Sequence, residues 1–280
     1  MKITGKTKIV GLFGYPVTHS LSPLIHNAAF EKAGLNFIYL AFPVKSSNLG
    51  EATRAIKALE MVGVNVTIPH KQKIIQYLDE LSPEANVVGA INTVVNREGK
   101  LAGYNTDGEG FAESLREKSF SLKGKHILLL GAGGAALAIS FSLLKEKPES
   151  LILTNRTLSR AKDISKKLAS SRGEVKMEIV EFERRNSLPR AKEIDLLINT
   201  TSLGMQEGHP APINLEQFSS SLFVYDVIYN RETELLNQAK RLGMRYQGGL
   251  DMLIFQAALS FEIWTGRKAP VDEMREALMR

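Results

Sequence analysis

His126-Ile-Leu-Leu-Leu-Gly131-Ala132-Gly133-Gly134-Ala135-Ala136 decides the fold of this chain. His126 to Leu130 is a short, nearly continuous apolar run, the pattern of a strand buried on both faces. A glycine-rich turn follows at once, and the small residues from Ala135 to Leu144 read as a helix. In that setting the turn fits G-x-G-x-x-G/A, with Ala136 at the third position. Glycines there let the backbone turn tightly and approach a pyrophosphate, which meets the free amides of the helix N-terminus. The competing reading is a turn whose glycines only pack two elements together.

Downstream, the rhythm continues. Leu151 to Thr154 reads as a strand, Ser159 to Ala169 as a helix, and Val175 to Val180, Ile194 to Asn199 and Leu222 to Ile228 as further strands. Alternating strand and helix predicts a doubly wound parallel sheet of Rossmann type. The end of the second strand names the cofactor. An NAD site carries Asp or Glu there for the ribose 2′-hydroxyl, whereas this chain has Asn155-Arg156-Thr157, with Arg160 close behind. A guanidinium holds a 2′-phosphate and a carboxylate repels one, so NADP is the expected cofactor; Arg156 as an ordinary surface arginine is the alternative. Asn199-Thr200-Thr201 closes another strand and is expected at the same crevice, with a plain loop as the other reading.

Upstream, strand and helix signals alternate: strands at Lys8 to Phe13, Asn36 to Val44 and Val64 to Ile68, helices at Pro23 to Ala33, Leu49 to Val62 and Gln72 to Leu78. A hairpin turn at Asn96 to Gly99 lies between Ala90 to Val95 and Lys100 to Tyr104. This is an α/β unit with a mixed sheet. Thr106-Asp-Gly-Glu109 fits a capping box before a helix at Phe111 to Lys118. The expected divisions are residues 1–105 for substrate and catalysis, 106–244 for NADP, and C-terminal helices in 245–280 (Leu250 to Thr265 and Val271 to Met279) that return to the first part.

The first unit also carries chemistry. In Asn65-Val-Thr67-Ile-Pro-His-Lys71, the amide and the hydroxyl lie two apart and share one face of a strand. Pro69 ends the strand and Lys71 follows. By itself Lys71 reads as a solvated helix-start lysine, although a cation is disfavoured there. Asp107 has the opposite character, because a first-turn acid suits the helix dipole whether or not it has a task. Paired, the two can orient a hydroxyl and exchange its proton. Ser22 is an N-cap candidate before Pro23, and Ser20 and Ser22 near helix-terminal amides also suit a carboxylate. The histidines lack metal-ligand spacing, and no metal is expected.

Composition narrows the classes further. The 280 residues are 44% hydrophobic and 24% charged, as in ordinary globular proteins, and suggest two domains. A net charge of +6 suits anionic small molecules, and the basic residues are too dispersed for a nucleic-acid partner. Cysteine is absent, which excludes disulfides and thiolate chemistry. No apolar run approaches the roughly 18–20 residues of a membrane span, and no signal-peptide core is seen, so a cytoplasmic location without a membrane partner is expected.

Taken together, Gly14-Tyr-Pro-Val-Thr-His-Ser-Leu-Ser-Pro23, Asn65 to Lys71, Ala90-Ile-Asn92-Thr-Val, Gly103-Tyr-Asn-Thr-Asp107, the Gly131 loop, Asn155-Arg-Thr157 and Leu250 to Ala258 resemble the shikimate dehydrogenase family over nearly the full length. The resemblance implies NADPH-dependent reduction of 3-dehydroshikimate to shikimate. It implies Lys71 and Asp107 as the catalytic pair, Ser20 and Ser22 on the substrate carboxylate with Tyr229 approaching it, and Asn65, Thr67, Asn92 and Gln256 on ring hydroxyls. It also implies cofactor contacts from Gly131 to Ala135, Asn155 to Thr157, Arg160, Thr200, Thr201, Ile228 and Gly249. Whether Lys71 is the literal proton donor or mainly electrostatic stays open, as does the choice of monomer or homodimer. One departure is Tyr229-Asn-Arg231, which lacks the family's proline after the last core strand. A quinate/shikimate variant preferring NAD is a close alternative, opposed by Arg156. A non-catalytic NADP-binding sensor is an alternative of another class, which loss of Lys71 or Asp107 would have marked.

Overall fold

The computed structural model describes residues 3–279. They form two compact units: the chain up to Gly110 together with Ile254 onward, and Phe111–Leu253. The sequence reading put the divisions at 105/106 and 244/245. Both passages between the units run through helices, so a residue or a strand near either division belongs where its own contacts lie.

The first unit is built on a six-stranded mixed sheet. Its strands are β1 (Lys8–Gly14), β2 (Phe37–Pro43), β3 (Gly63–Val66), β4 (Glu80–Leu81), β5 (Thr93–Arg97) and β6 (Lys100–Tyr104), in the order β2-β1-β3-β5-β6-β4. β1 runs parallel to β2 and β3, while β5 is antiparallel to β3 and β6. The helices of this stretch are α1 (Ser22–Lys32), α2 (Leu49–Ala58), α3 (Pro83–Val88) and the start of α4 (Asp107–Glu117). Side chains alternate along β3. Val64 and Val66 join an aliphatic core with Phe13, Leu49, Ile56, Ile74, Ile91 and Leu101. Asn65, between them, faces the other way.

Several boundaries differ from the expected ones. The helix expected to reach Val62 stops at Ala58, because Glu60 turns left-handed (φ 49°) and the Met61 N–H returns to the Ile56 carbonyl. Gln72 to Leu78 is a 3-10 segment at Lys73–Tyr77. β3 ends at Val66, one residue before Thr67. The unexpected α3 has only six residues, too brief for periodicity, yet its ends are marked: the Ser82 hydroxyl accepts the Ala85 N–H, and Gly89 closes it at φ 63°.

The second unit has β7 (His126–Leu130), α5 (Gly134–Lys145), β8 (Ser150–Asn155), α6 (Leu158–Lys167), β9 (Lys176–Glu181), β10 (Leu196–Asn199), β11 (Phe223–Asp226), α7 (Glu234–Arg241) and β12 (Arg245–Gln247). The six strands are all parallel, in the order β12-β11-β10-β7-β8-β9. The order reverses between β7 and β10, so the ends of those two strands frame the crevice where such sheets bind ligands. β12 pairs with β11 through Arg245, Tyr246 and Gln247, which is why the chain past residue 244 still belongs to this unit.

Helix α8 (Leu250–Thr265) spans the second division, and α9 (Val271–Glu276) follows it. In the first unit, α8 and α1 supply an aromatic layer. His26 stacks on Tyr39 with ring centres 4.4 Å apart, Phe30 on Phe261 at 5.3 Å, and Trp264 Nε1 donates to the Val94 carbonyl at 2.9 Å. Gly63 is required here, since a Cβ would lie 2.1 Å from that carbonyl.

His26 is fully buried, and neither ring nitrogen finds a hydrogen-bond partner among the described residues. Burial pushes its pKa down to about 3 from the ordinary 6.5, with nearby Asn65 opposing. The unfolded chain therefore takes up a proton near pH 6.5 that the folded protein refuses until about pH 3, so stability falls as the pH drops through that window. His26→Phe keeps the aromatic stack and removes the proton. Denaturant unfolding between pH 7 and pH 4 should show wild type losing about 1.4 kcal/mol per pH unit more than the variant below pH 6.5. Parallel curves would refute this.

Candidate active site

Lys71 follows β3 and Asp107 opens α4. The Lys71 Nζ donates to Asp107 Oδ2 at 2.5 Å, with side chains 30% and 11% exposed. The second carboxylate oxygen accepts from Asn92 Nδ2 at 2.8 Å. The polarity of Asn92 is dictated by the backbone. Its Oδ1 accepts the Thr106 N–H at 2.9 Å, a group that can only donate, so Nδ2 is the atom that faces Asp107. That amide also reaches Thr106 Oγ1 at 2.8 Å and Gln256 Oε1 at 3.3 Å. Asp107 engages one of the three ammonium protons of Lys71, which leaves the half-exposed side chain able to address a bound carbonyl.

Thr106 links two helices. Its N–H goes to Asn92 and its hydroxyl to the Gln256 carbonyl at 3.0 Å, so it ties the start of α4 to α8. Asn105 Oδ1 accepts the Asp107 N–H at 3.1 Å. A Cβ on Gly110 would stand 2.6 Å from the Gln256 backbone nitrogen. The two helices approach that closely only because of this glycine, and the approach brings Gln256 beside Asn92.

Asn65 is engaged inside the protein. Its Nδ2 donates to the Asn92 carbonyl and to Ser260 Oγ, both at 3.0 Å, and to Thr93 Oγ1 at 3.1 Å. Its Oδ1 accepts from the buried Tyr39 hydroxyl at 2.8 Å. Burial pushes the Tyr39 phenol upward, which keeps it a donor. Asn65 thus braces β2, β5 and α8 behind Asn92. Thr93, whose hydroxyl donates to Asn92 Oδ1 at 3.1 Å, and Ser260 escaped the sequence reading. Their only signal was a hydroxyl in an otherwise apolar, buried stretch.

The serines also shift by one step. α1 begins at Ser22 with Leu21 as its cap residue, not with Ser22 as the cap. The cause is Ser20, whose hydroxyl accepts the Ser22 N–H at 3.2 Å, so the chain enters the helix a residue early. Ser20 and Thr67 are half-buried and Ser22 is buried. Gly14 makes room for Thr67, since a Cβ there would lie 2.3 Å from Thr67 Cγ2.

In the second unit, Gly131 leaves β7 at φ 111°, and a Cβ on it would meet Thr200 Oγ1 at 2.4 Å. Thr200 Oγ1 in turn donates to the Leu130 carbonyl at 2.7 Å. Protein packing therefore explains Gly131. It does not explain Gly133 and Gly134, where a Cβ would meet open space. Both are exposed at the start of α5, flanked by Ala132 and Ala135, and they leave the helix N-terminus clear, an arrangement that suits a pyrophosphate. At the end of β8, Asn155 Nδ2 donates to the Thr157 carbonyl at 2.8 Å, and Arg156, Thr157 and Arg160 are exposed beside it. Neutral and cationic groups at that place suit a 2′-phosphate. Thr201 caps the exit of β10, its N–H and hydroxyl both donating to Asn199 Oδ1. Ile228 is buried after β11, Tyr229 is exposed, and the Gly249 N–H donates to the Ile228 carbonyl at 3.0 Å.

Among the described residues, no three His, Asp or Glu side chains converge as a metal site, and no helix is long and apolar enough to cross a membrane.

Three family models match along the chain: the shikimate dehydrogenase substrate binding domain over residues 12–94, shikimate / quinate 5-dehydrogenase over 113–207, and the shikimate 5'-dehydrogenase C-terminal domain over 249–279. The chain is 42% identical to the shikimate dehydrogenase (NADP(+)) of Methanopyrus kandleri, across 100% of this chain and 97% of that protein. It belongs to the shikimate dehydrogenase family. Its fold is similar to that of shikimate 5-dehydrogenase from Listeria monocytogenes, solved with shikimate and NAD, at TM-score 0.93 and 36% identity over 99% and 98% of the two chains. The family member from Thermus thermophilus, solved with NADP(H) and shikimate, matches at TM-score 0.87 and 36% identity over 98% and 99%.

The open space at Gly133 generates a prediction. Its backbone (φ −93°, ψ −170°) admits any L-residue. Gly133→Ala should therefore fold with an unchanged melting temperature while its NADPH dissociation constant rises by about tenfold or more, a cost of about 1.4 kcal/mol. Fluorescence titration of NADPH checks this, and unchanged affinity would refute it.

Proposed function

We propose that this protein catalyses the reversible, NADPH-dependent reduction of 3-dehydroshikimate to shikimate. The observation that carries the reading is the Lys71–Asp107 pair held from behind by Asn92, in a member of this family. When bound, the cofactor supplies the hydride that the substrate's carbonyl carbon receives. Lys71 stabilises the negative charge developing on the carbonyl oxygen and is the proton source within reach. Asp107 keeps Lys71 aimed, and Asn92 keeps Asp107 from rotating away. Ser20 and Ser22 take the substrate carboxylate with Tyr229, while Thr67, Asn92 and Gln256 take ring hydroxyls. Asn65 supports Asn92.

On the cofactor side, Gly131 to Ala135 receive the pyrophosphate and Asn155, Arg156, Thr157 and Arg160 the 2′-phosphoryl ribose. Thr200, Thr201, Ile228 and Gly249 line the other half. The polypeptide acts as a monomer or homodimer, in the cytoplasm.

The deciding experiment follows NADPH oxidation with 3-dehydroshikimate. Wild type should turn over, and Lys71→Ala should lose about 100-fold or more in kcat while binding NADPH normally. Near-normal turnover in the variant would remove Lys71 from its role, and a clear preference for quinate with NAD would replace the substrate assignment. Arg156→Ala should raise the KM for NADPH by about 10- to 100-fold, as charge-assisted hydrogen bonds are worth about 1.5–3 kcal/mol, and leave NADH kinetics unchanged. Equal effects on both cofactors would refute the 2′-phosphate contact.

A further inference from the structure

We propose that Asp226 is a positioning residue of the cofactor site, whose carboxylate locks the exits of two neighbouring strands and the start of α7 together on the nicotinamide side. Asp226 is the last residue of β11, fully buried, and has no part in the chemistry above. Its Oδ1 accepts from Asn199 Nδ2 and from the Ile228 N–H, both at 3.1 Å. Its Oδ2 accepts from Thr233 Oγ1 at 2.7 Å.

All three neighbours present hydrogen. The Ile228 amide can only donate. Asn199 has its own Oδ1 occupied by the N–H and hydroxyl of Thr201, which leaves its Nδ2 facing Asp226. Thr233 caps α7 by accepting the Leu236 N–H at 3.4 Å, so its proton is free for Asp226. A place surrounded by donors calls for a group that only accepts, and a carboxylate is the one side chain that does so at two atoms. Burial raises the Asp226 carboxyl above its ordinary value, and hydrogen bonds from Thr233, Ile228 and Asn199 oppose that rise.

The segments tied together are Asn199–Thr201 after β10, Ile228 after β11, and Thr233. Gly204, at φ 107°, packs the loop after β10 against Thr233 and Ile228, and Gly249 closes on Val227 where a Cβ would lie 2.0 Å from the carbonyl. Sheet order says which end of a dinucleotide these segments serve. The pyrophosphate loop follows β7, and the 2′-phosphate residues follow β8 on one side. β10 and β11 lie on the other side, where the nicotinamide half extends. The inference rests on the proposed NADP site.

The test uses two ligands, NADPH and adenosine 2′,5′-bisphosphate, which lacks the nicotinamide half, each titrated against the full chain. Asp226→Asn keeps the size of the side chain but places a donor among donors. It should weaken NADPH by about tenfold, with adenosine 2′,5′-bisphosphate changed less than twofold. Thr233→Val should weaken NADPH in the same selective way, and Thr233→Ser, which restores the hydroxyl, should recover it. This second pair stands if Asp226→Asn does not fold. Variants that lose both ligands equally, or neither, overturn the positioning role while leaving the NADP site intact. A wild-type protein that binds neither ligand overturns the NADP reading itself and this inference with it.

Discussion

An ammonium and a carboxylate in contact, with one carboxylate oxygen already claimed by an amide, is the constraint around which the first unit is organised. Asp107 is largely withdrawn from water. A buried charge without partners costs several kcal/mol, so both of its oxygens need donors. Lys71 supplies one and Asn92 the other. That requirement propagates outward. Asn92 must present its NH2 to Asp107, so its oxygen must be held by groups that donate, and the Thr106 amide and Thr93 hydroxyl do this. Thr93 in turn shares Asn65 and Ser260, and Asn65 is oriented by Tyr39. The polar layer between the mixed sheet and α8 is one directional network with the Lys71–Asp107 pair at its end.

The second unit solves a different problem with similar means. Its sheet is parallel and its strands are apolar, so binding groups can stand only where strands end. There the backbone comes close or lies open: free amides at the start of α5, the tight Gly131–Thr200 approach, and the Gly249–Val227 contact. Asp226 is the exception, a buried charge satisfied wholly by neutral donors. Asn92 and Asp226 follow the same logic, in that each joins segments distant in sequence by matching donors to acceptors, which is how polar groups confer a unique arrangement on an otherwise apolar interior.

Much of this was legible beforehand because it is local. The apolar run His126–Leu130, the glycines after it and the small-residue helix announce a parallel dinucleotide-binding unit within eleven residues. Arg156 at the end of the next strand announces a phosphate. The Lys71–Asp107 pair was readable only as two candidates with bland alternatives, since a first-turn aspartate and a helix-start lysine occur for other reasons. For Asn65, alternation along β3 says which face the side chain occupies, but not what else shares that face. Here Ser260, from α8, shares it.

By itself, then, the sequence determined the α/β class, the parallel unit with its glycine loop, the preference for a phosphorylated ribose and the chemical types gathered near the first strands. Each of these follows from neighbours within a few residues, where periodicity and backbone geometry act. Only the tertiary structure decided that Lys71 meets Asp107, that Asn92 faces it with nitrogen rather than oxygen, that Asn65 bonds Tyr39 and Ser260 behind it, and that Asp226 joins two strand ends. Those outcomes depend on donors and acceptors brought together from distant segments, and hydrogen-bond polarity has no signature along the chain.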